Sequence, residues 1–143
     1  QVAQYPIGIW LRLTLESTDQ PPIDPLTPVL DAREAMTTWN HDAELYLDMA
    51  KTFMTRCPSK LSALTQAVMS QNIDLILAKA HSLNSAAGKL CATTLEQVTA
   101  RLIDAAESGD LAKSYVWIAQ LPAHVHDFEQ ALKRCAMMHA LDY

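Results

Sequence analysis

The chain is short of several things, and each shortage excludes a class of protein. Glycine occurs only 3 times in 143 residues. No Gly-rich phosphate loop can be drawn, and β-branched residues do not dominate after residue 25, so helices are favoured. Cysteine also occurs 3 times, as Cys57, Cys91 and Cys135, far apart and without a C-x-x-C pair. That count argues against both a disulfide framework and a zinc site, and free thiols in a reducing cytoplasm are the plain reading. No apolar run reaches the roughly 20 residues that span a bilayer, and no signal peptide is recognisable. Positive charge is scarce too. There are 11 Lys and Arg against 16 Asp and Glu, a net charge of -5 and a pI near 5.4. The basic residues are scattered along the chain and form no stripe, so nucleic acid is not the expected partner.

What is present suits one folded domain. Half the residues are hydrophobic and 19% are charged, enough to bury a core. Pro21, Pro22, Pro25 and Pro28 mark an extended linker. The expected division is an N-terminal extension over 1–24 and a helical domain over 25–140. The first residue, Gln1, is what a piece cut from a longer protein would show.

Helical periodicity dominates after the linker. Thr27 and Pro28 read as an N-cap and first helical residue of a short helix that runs to about Trp39 and exits at Asn40. Asp42 caps a second helix whose stripe is Tyr46, Ala50, Phe53, Cys57, Leu61, Leu64 and Val68. The phase continues across Pro58, which predicts one helix bent there. Ile73, Ile76, Ala80, Leu83, Ala87 and Leu90 form a third stripe. Thr93 and Glu96 read as a capping box opening a fourth, with Leu95, Val98, Leu102 and Ala105 inside. Gly109 stops it, and Asp110 caps a last helix through Pro122, with Leu111, Tyr115, Ile118, Leu121, Val125, Phe128, Leu132 and Cys135 inward. The fold class is all-α: an antiparallel four-helix bundle with a short additional N-terminal helix. One stretch departs from this. "IGIWLRLTL" (7–15) alternates like a strand. It reads as the remnant of a preceding domain, an element that pairs between chains, or a loose tail.

His81 stands out in "AKAHSLNSAAGKLCA" (78–92) because small residues surround it. At about 100° per residue it lies roughly 140° from the buried direction. Asn84, Ser85 and Gly88 share its face at i+3, i+4 and i+7, a polar and small surface that another protein could approach closely. An imidazole near neutral pH is largely uncharged and nucleophilic. On the residues alone, an ordinary surface histidine is the simpler reading.

The segment "AHSLNSAAGKLCATTLEQVTARLIDAAESGD", with "DAELYLDMAKTFMTRCPSKLSALTQAV" upstream, resembles the histidine-containing phosphotransfer (HPt) domain over about residues 25 to 138. The resemblance implies a four-helix bundle whose exposed histidine accepts a phosphoryl group from a receiver-domain aspartate and passes it to another receiver. It makes His81 the phosphorylated nucleophile, Leu83 an inward anchor, and Asn84, Ser85, Gly88 and Lys89 the partner-binding positions. It further implies response-regulator receiver domains as partners, no cofactor beyond Mg²⁺ on the receiver, and no ATP site. The chain would be a phosphoryl carrier in the cytoplasm, or a domain of a hybrid sensor kinase tethered to the inner membrane. It would make no direct membrane contact itself.

Three positions depart from the family pattern. Asn84 replaces the usual lysine, Ser85 the usual glycine, and Cys91 stands where glycine is common. Asn84 can donate a hydrogen bond but brings no charge. Lys89, roughly 80° around the helix from His81, is a candidate to compensate, with solvation the plainer reading.

Other chemistry stays at its structural reading. His124 and His126 fall on nearly opposite faces of a helix, too far apart to share a metal, and no metal site is expected. His41 with Asp42 reads as a loop and cap. Trp39, Trp117 and the methionines Met36, Met49, Met54, Met69, Met137 and Met138 read as core and helix-end packing. Three readings remain open: a phosphorelay module, a degenerate module of the same fold that docks receivers with weak or no transfer, and a purely structural bundle.

Overall fold

Apolar side chains spaced by three and four wind the chain into helices that bury them. In the computed structural model, which describes residues 29–141 and 143, five helices follow one another and no strand occurs among the described residues. They are α1 (Ala32–Thr38), α2 (Ala43–Met69), α3 (Ile73–Lys89), α4 (Thr93–Glu107) and α5 (Leu111–Met138). Each of the four long helices packs on two neighbours: α2 on α3, α3 on α4, α4 on α5, and α5 back on α2. That closed ring is an antiparallel four-helix bundle, with α1 set against α2. The stretch 7–15, Thr27 and Pro28 lie outside the described residues. The short helix starts later than expected, at Ala32, where the Asp31 carboxylate accepts from the Glu34 N–H at 3.0 Å.

The core follows the expected stripes. Tyr46, Ala50, Leu64, Ile76, Ala80, Leu83, Leu95, Val98, Leu102, Leu121, Phe128 and Leu132 are all buried. Each Leu or Phe so placed contributes about 1.5–3 kcal/mol of burial. Phe53 of α2 meets Phe128 of α5 edge to face, with ring centroids 6.1 Å apart. Both prolines lie inside continuous helix, Pro58 in α2 and Pro122 in α5. Both prolines are exposed, and each leaves the carbonyl four residues earlier without its helical N–H.

The three long-helix connections share one geometry. In each, a C-cap residue is followed by a residue of positive φ and then by the next N-cap: Ser70–Gln71–Asn72, Leu90–Cys91–Ala92 and Ser108–Gly109–Asp110. The N–H of each new N-cap returns to the last turn behind it, Asn72 to Ala67, Ala92 to Ala87 and Asp110 to Ala105. This Schellman-type closure reverses the chain in three residues. Asn72 and Asp110 then cap the following helix through their side chains.

α4 corrects the expected capping box. Its N-cap is Ala92, with no side-chain cap bond, rather than Thr93. The turn fixes the cap position, and Ala92 is fully buried there. The Thr93 hydroxyl bonds back to the Cys91 carbonyl at 3.4 Å, and the Glu96 carboxylate lies beside Gly88 instead of reaching the cap.

The C-terminal end of α3 is held by α2 and by both ends of α1. A helix leaves its last carbonyls without internal partners. Here Trp39 Nε1 donates to Lys89 O at 2.9 Å, Tyr46 Oη to Leu90 O at 2.6 Å, and Asp31 N–H to Cys91 O at 3.0 Å. The Trp39 and Tyr46 rings meet edge to face, 6.1 Å between centroids. The short helix α1 therefore anchors the helix that carries His81.

Candidate functional site

Burial of Ala80, Leu83 and Ala87 sets the rotation of α3, and His81 comes out exposed. Its imidazole has no hydrogen-bond partner among the described residues, so a ring lone pair stays open to an incoming group. Ser85, one turn later, is exposed on the same side.

The rest of the predicted face divides. Asn84 and Gly88 are half-buried and turn toward α4, where Asn84 Nδ2 donates to Glu96 O and to Thr99 Oγ1, both at 2.9 Å. Thr99 is fully buried and passes its own proton to carbonyls of α4. The carboxamide is thus committed to the bundle and is not presented beside His81. At Gly88, an added Cβ would stand 2.6 Å from Glu96 Oε2, so the missing side chain makes room for that carboxylate. Lys89 is exposed on the other side, toward α2.

Between α2 and α3 runs a groove of about 420 Å³, floored by Trp39, Phe53 and Leu90 and edged by Arg56, Lys60 and Lys89. Ser82 and Ser85 line its α3 wall, so it opens beside His81. A second hollow of about 310 Å³ continues it past Lys60, Ser82 and Lys79. Met49 lies in the first groove and is 46% exposed, which corrects its reading as packing. Four of the scattered basic residues, Arg56, Lys60, Lys79 and Lys89, line these two hollows. Arg56 and Lys60, at i and i+4 on α2, carried the one signal that could have found them.

The other histidines lie apart from this site. His124 and His126 are on α5, and burial holds the His124 ring below its ordinary value while Asp127 partly opposes that. Among the described residues no group of three or more His, Cys, Asp or Glu could hold a metal ion, and no helix is long and apolar enough to cross a membrane.

An exposed, unpartnered histidine in the middle of a bundle helix is the geometry that the sequence resemblance implies. The family model described as "Hpt domain" matches residues 48–134, which include His81 and most of the bundle. The chain belongs to the Hpt domain family. It is therefore a histidine-containing phosphotransfer module of the phosphorelay type. Its fold resembles the crystal structure of the HPT domain from a sensor hybrid histidine kinase of Shewanella, with a TM-score of 0.64 and 19% identity. That likeness covers 77% of this chain and 95% of the other. No curated protein matches the chain as a relative. Within this Hpt domain, Asn84 takes the lysine position of the family pattern and turns inward, which its residue type alone did not reveal.

Proposed function

We propose that His81 accepts a phosphoryl group from an aspartate of a response-regulator receiver domain and passes it to another receiver. The supporting observation is the exposed, unpartnered imidazole on α3, inside the matched segment. A ring nitrogen lone pair attacks phosphorus in line with the departing aspartyl oxygen. The N–P bond forms as the P–O bond breaks, the aspartate leaves as carboxylate, and the proton on the other ring nitrogen exchanges with water. The second transfer reverses these changes on a new aspartate. Mg²⁺, held by the receiver, supplies charge neutralisation at the phosphoryl group. This chain contributes the nucleophile and a docking face, with no ATP site, and works in the cytoplasm, alone or as part of a sensor kinase.

A second reading has its own support. Asn84 brings no charge and points to α4, as expected of a module that docks receivers but transfers weakly. One experiment separates the two. Receiver domains phosphorylated on aspartate are incubated with the chain and Mg²⁺, and label and complex formation are followed. Acid-labile label on the wild type that disappears in His81→Gln, at unchanged helicity and melting, supports transfer. Complex formation without label supports the docking reading, and neither outcome leaves only a structural bundle.

A further inference from the structure

The charge of the molecule is unevenly placed. Among the described residues, the groove between α2 and α3 and its continuation are lined by Arg56, Lys60, Lys79 and Lys89 and by no acidic residue. Four of the 11 basic residues gather on one strip, in a chain that carries 16 acidic ones. The strip is accessible, since Arg56, Lys79 and Lys89 are exposed and Lys60 half-exposed. It flanks His81 without including it: Ser82 and Ser85, its neighbours on α3, line the groove. On the opposite side of α3 the lysine position is Asn84, tied to Thr99 and Glu96, with the Glu96 carboxylate beside Gly88. The positive side chains therefore stand on the α2-facing flank of α3, Arg56 and Lys60 from α2 and Lys79 and Lys89 from α3 itself.

We propose that Arg56, Lys60, Lys79 and Lys89 form a cationic rail that seats the acidic rim around the phosphorylated aspartate of a receiver, and that Arg56 and Lys60 supply from α2 the charge missing at position 84. This rests on the phosphotransfer reading of His81. In a chain of net charge -5, a strip of four cations orients an acidic partner as well as attracting it. Arg56 and Lys60 are positioning residues: they hold the donor aspartate over His81 and do not react.

The test uses two probes. The first is the Mg²⁺-loaded, aspartyl-phosphorylated receiver that labels the wild type fastest in a panel of receivers. The second is a deca-glutamate peptide, whose binding site is mapped by amide chemical shifts. Arg56→Gln and Lys60→Gln should each lower the second-order transfer rate about 3- to 10-fold at low salt, within the range steering covers. The deficit should close as ionic strength rises. Arg56→Lys should recover most of the rate, and Lys133→Gln, on α5, should match the wild type. Labelling of His81 by phosphoramidate, a small donor whose P–N bond breaks with loss of ammonia, reports the nucleophile separately. The transfer deficit should exceed any deficit with that donor.

Transfer by both Gln variants at the wild-type rate and salt dependence would overturn the proposal. So would shifts from the peptide that centre on another face. If no receiver labels the wild type, the phosphotransfer reading fails, and the peptide map still decides whether the rail attracts acidic chains.

Discussion

Asn84 Nδ2 stands 2.9 Å from Thr99 Oγ1, a side-chain bond that ties the histidine helix to α4. A hydrogen bond of this kind contributes about 0.5–1.5 kcal/mol, and Asn84 makes two, to Thr99 Oγ1 and to Glu96 O. Asn84→Ala should therefore lower stability by about 1–2 kcal/mol, and Thr99→Val by a similar amount. The double variant should lose less than the sum, by about 1 kcal/mol, because both changes remove one contact. Additive losses in a urea-melt cycle would mean that the bond carries no coupling.

Gly88 lies in the last turn of α3, one residue before its end, and glycine within a helix costs up to about 1 kcal/mol relative to alanine. The obstacle to a methyl group there is the Glu96 carboxylate, the far end of a flexible side chain. Gly88→Ala should raise the melting temperature, with the Glu96 carboxylate swinging away from α3. In a Glu96→Gln background, where the displaced group is neutral, the gain should persist. A fall in melting temperature in both backgrounds would show that the close approach of Glu96 holds α3 and α4 together.

The helices, their phase and the exposure of His81 were legible in the sequence because each depends on spacing within a single segment. Asp42, Gly109 and Asp110 likewise act on their own backbone neighbourhood. The capping box at Thr93 was misread because the cap is set by a turn that places buried Ala92 first. Asn84 and the cationic rail were illegible for a related reason. Their partners lie on other helices: Thr99 on α4 for Asn84, and Arg56 and Lys60 on α2 for the wall of Ser82 and Ser85. Neighbouring positions along one helix do not show which neighbour will face them.

The bonds that α1 and α2 make to the C-terminal end of α3 should be measurable residue by residue. Tyr46 is fully buried, and its hydroxyl donates to Leu90 O at 2.6 Å. Tyr46→Phe leaves that carbonyl without its partner in a dry site, at a cost of about 1–3 kcal/mol. Trp39→Phe removes the bond to Lys89 O at a more accessible position, and the loss should be smaller, about 1 kcal/mol. Amide exchange at Leu90 to Ala92 should quicken in both variants, before the rest of α3 opens. Equal losses for the two variants, with no local quickening, would contradict this ordering.

Stability should fall in alkali through the buried thiols. Burial pushes the Cys57 thiol from its ordinary 9.0 up to about 11, with the Lys60 charge opposing slightly. Burial raises Cys91 and Cys135 in the same direction, and it raises the Tyr46 phenol most, with both of those thiols adding to the effect. The folded chain thus holds these protons more tightly than the unfolded chain. The Cys57 contribution is complete below pH 9.0 and is lost as pH rises toward about 11. For one group the slope approaches about 1.4 kcal/mol per pH unit across that window. Cys57→Ala costs some packing at neutral pH, yet it should flatten the alkaline limb by about one such slope. Denaturant melts from pH 7 to 11 would read it. An alkaline limb equally steep with and without Cys57 would place the proton release on other groups.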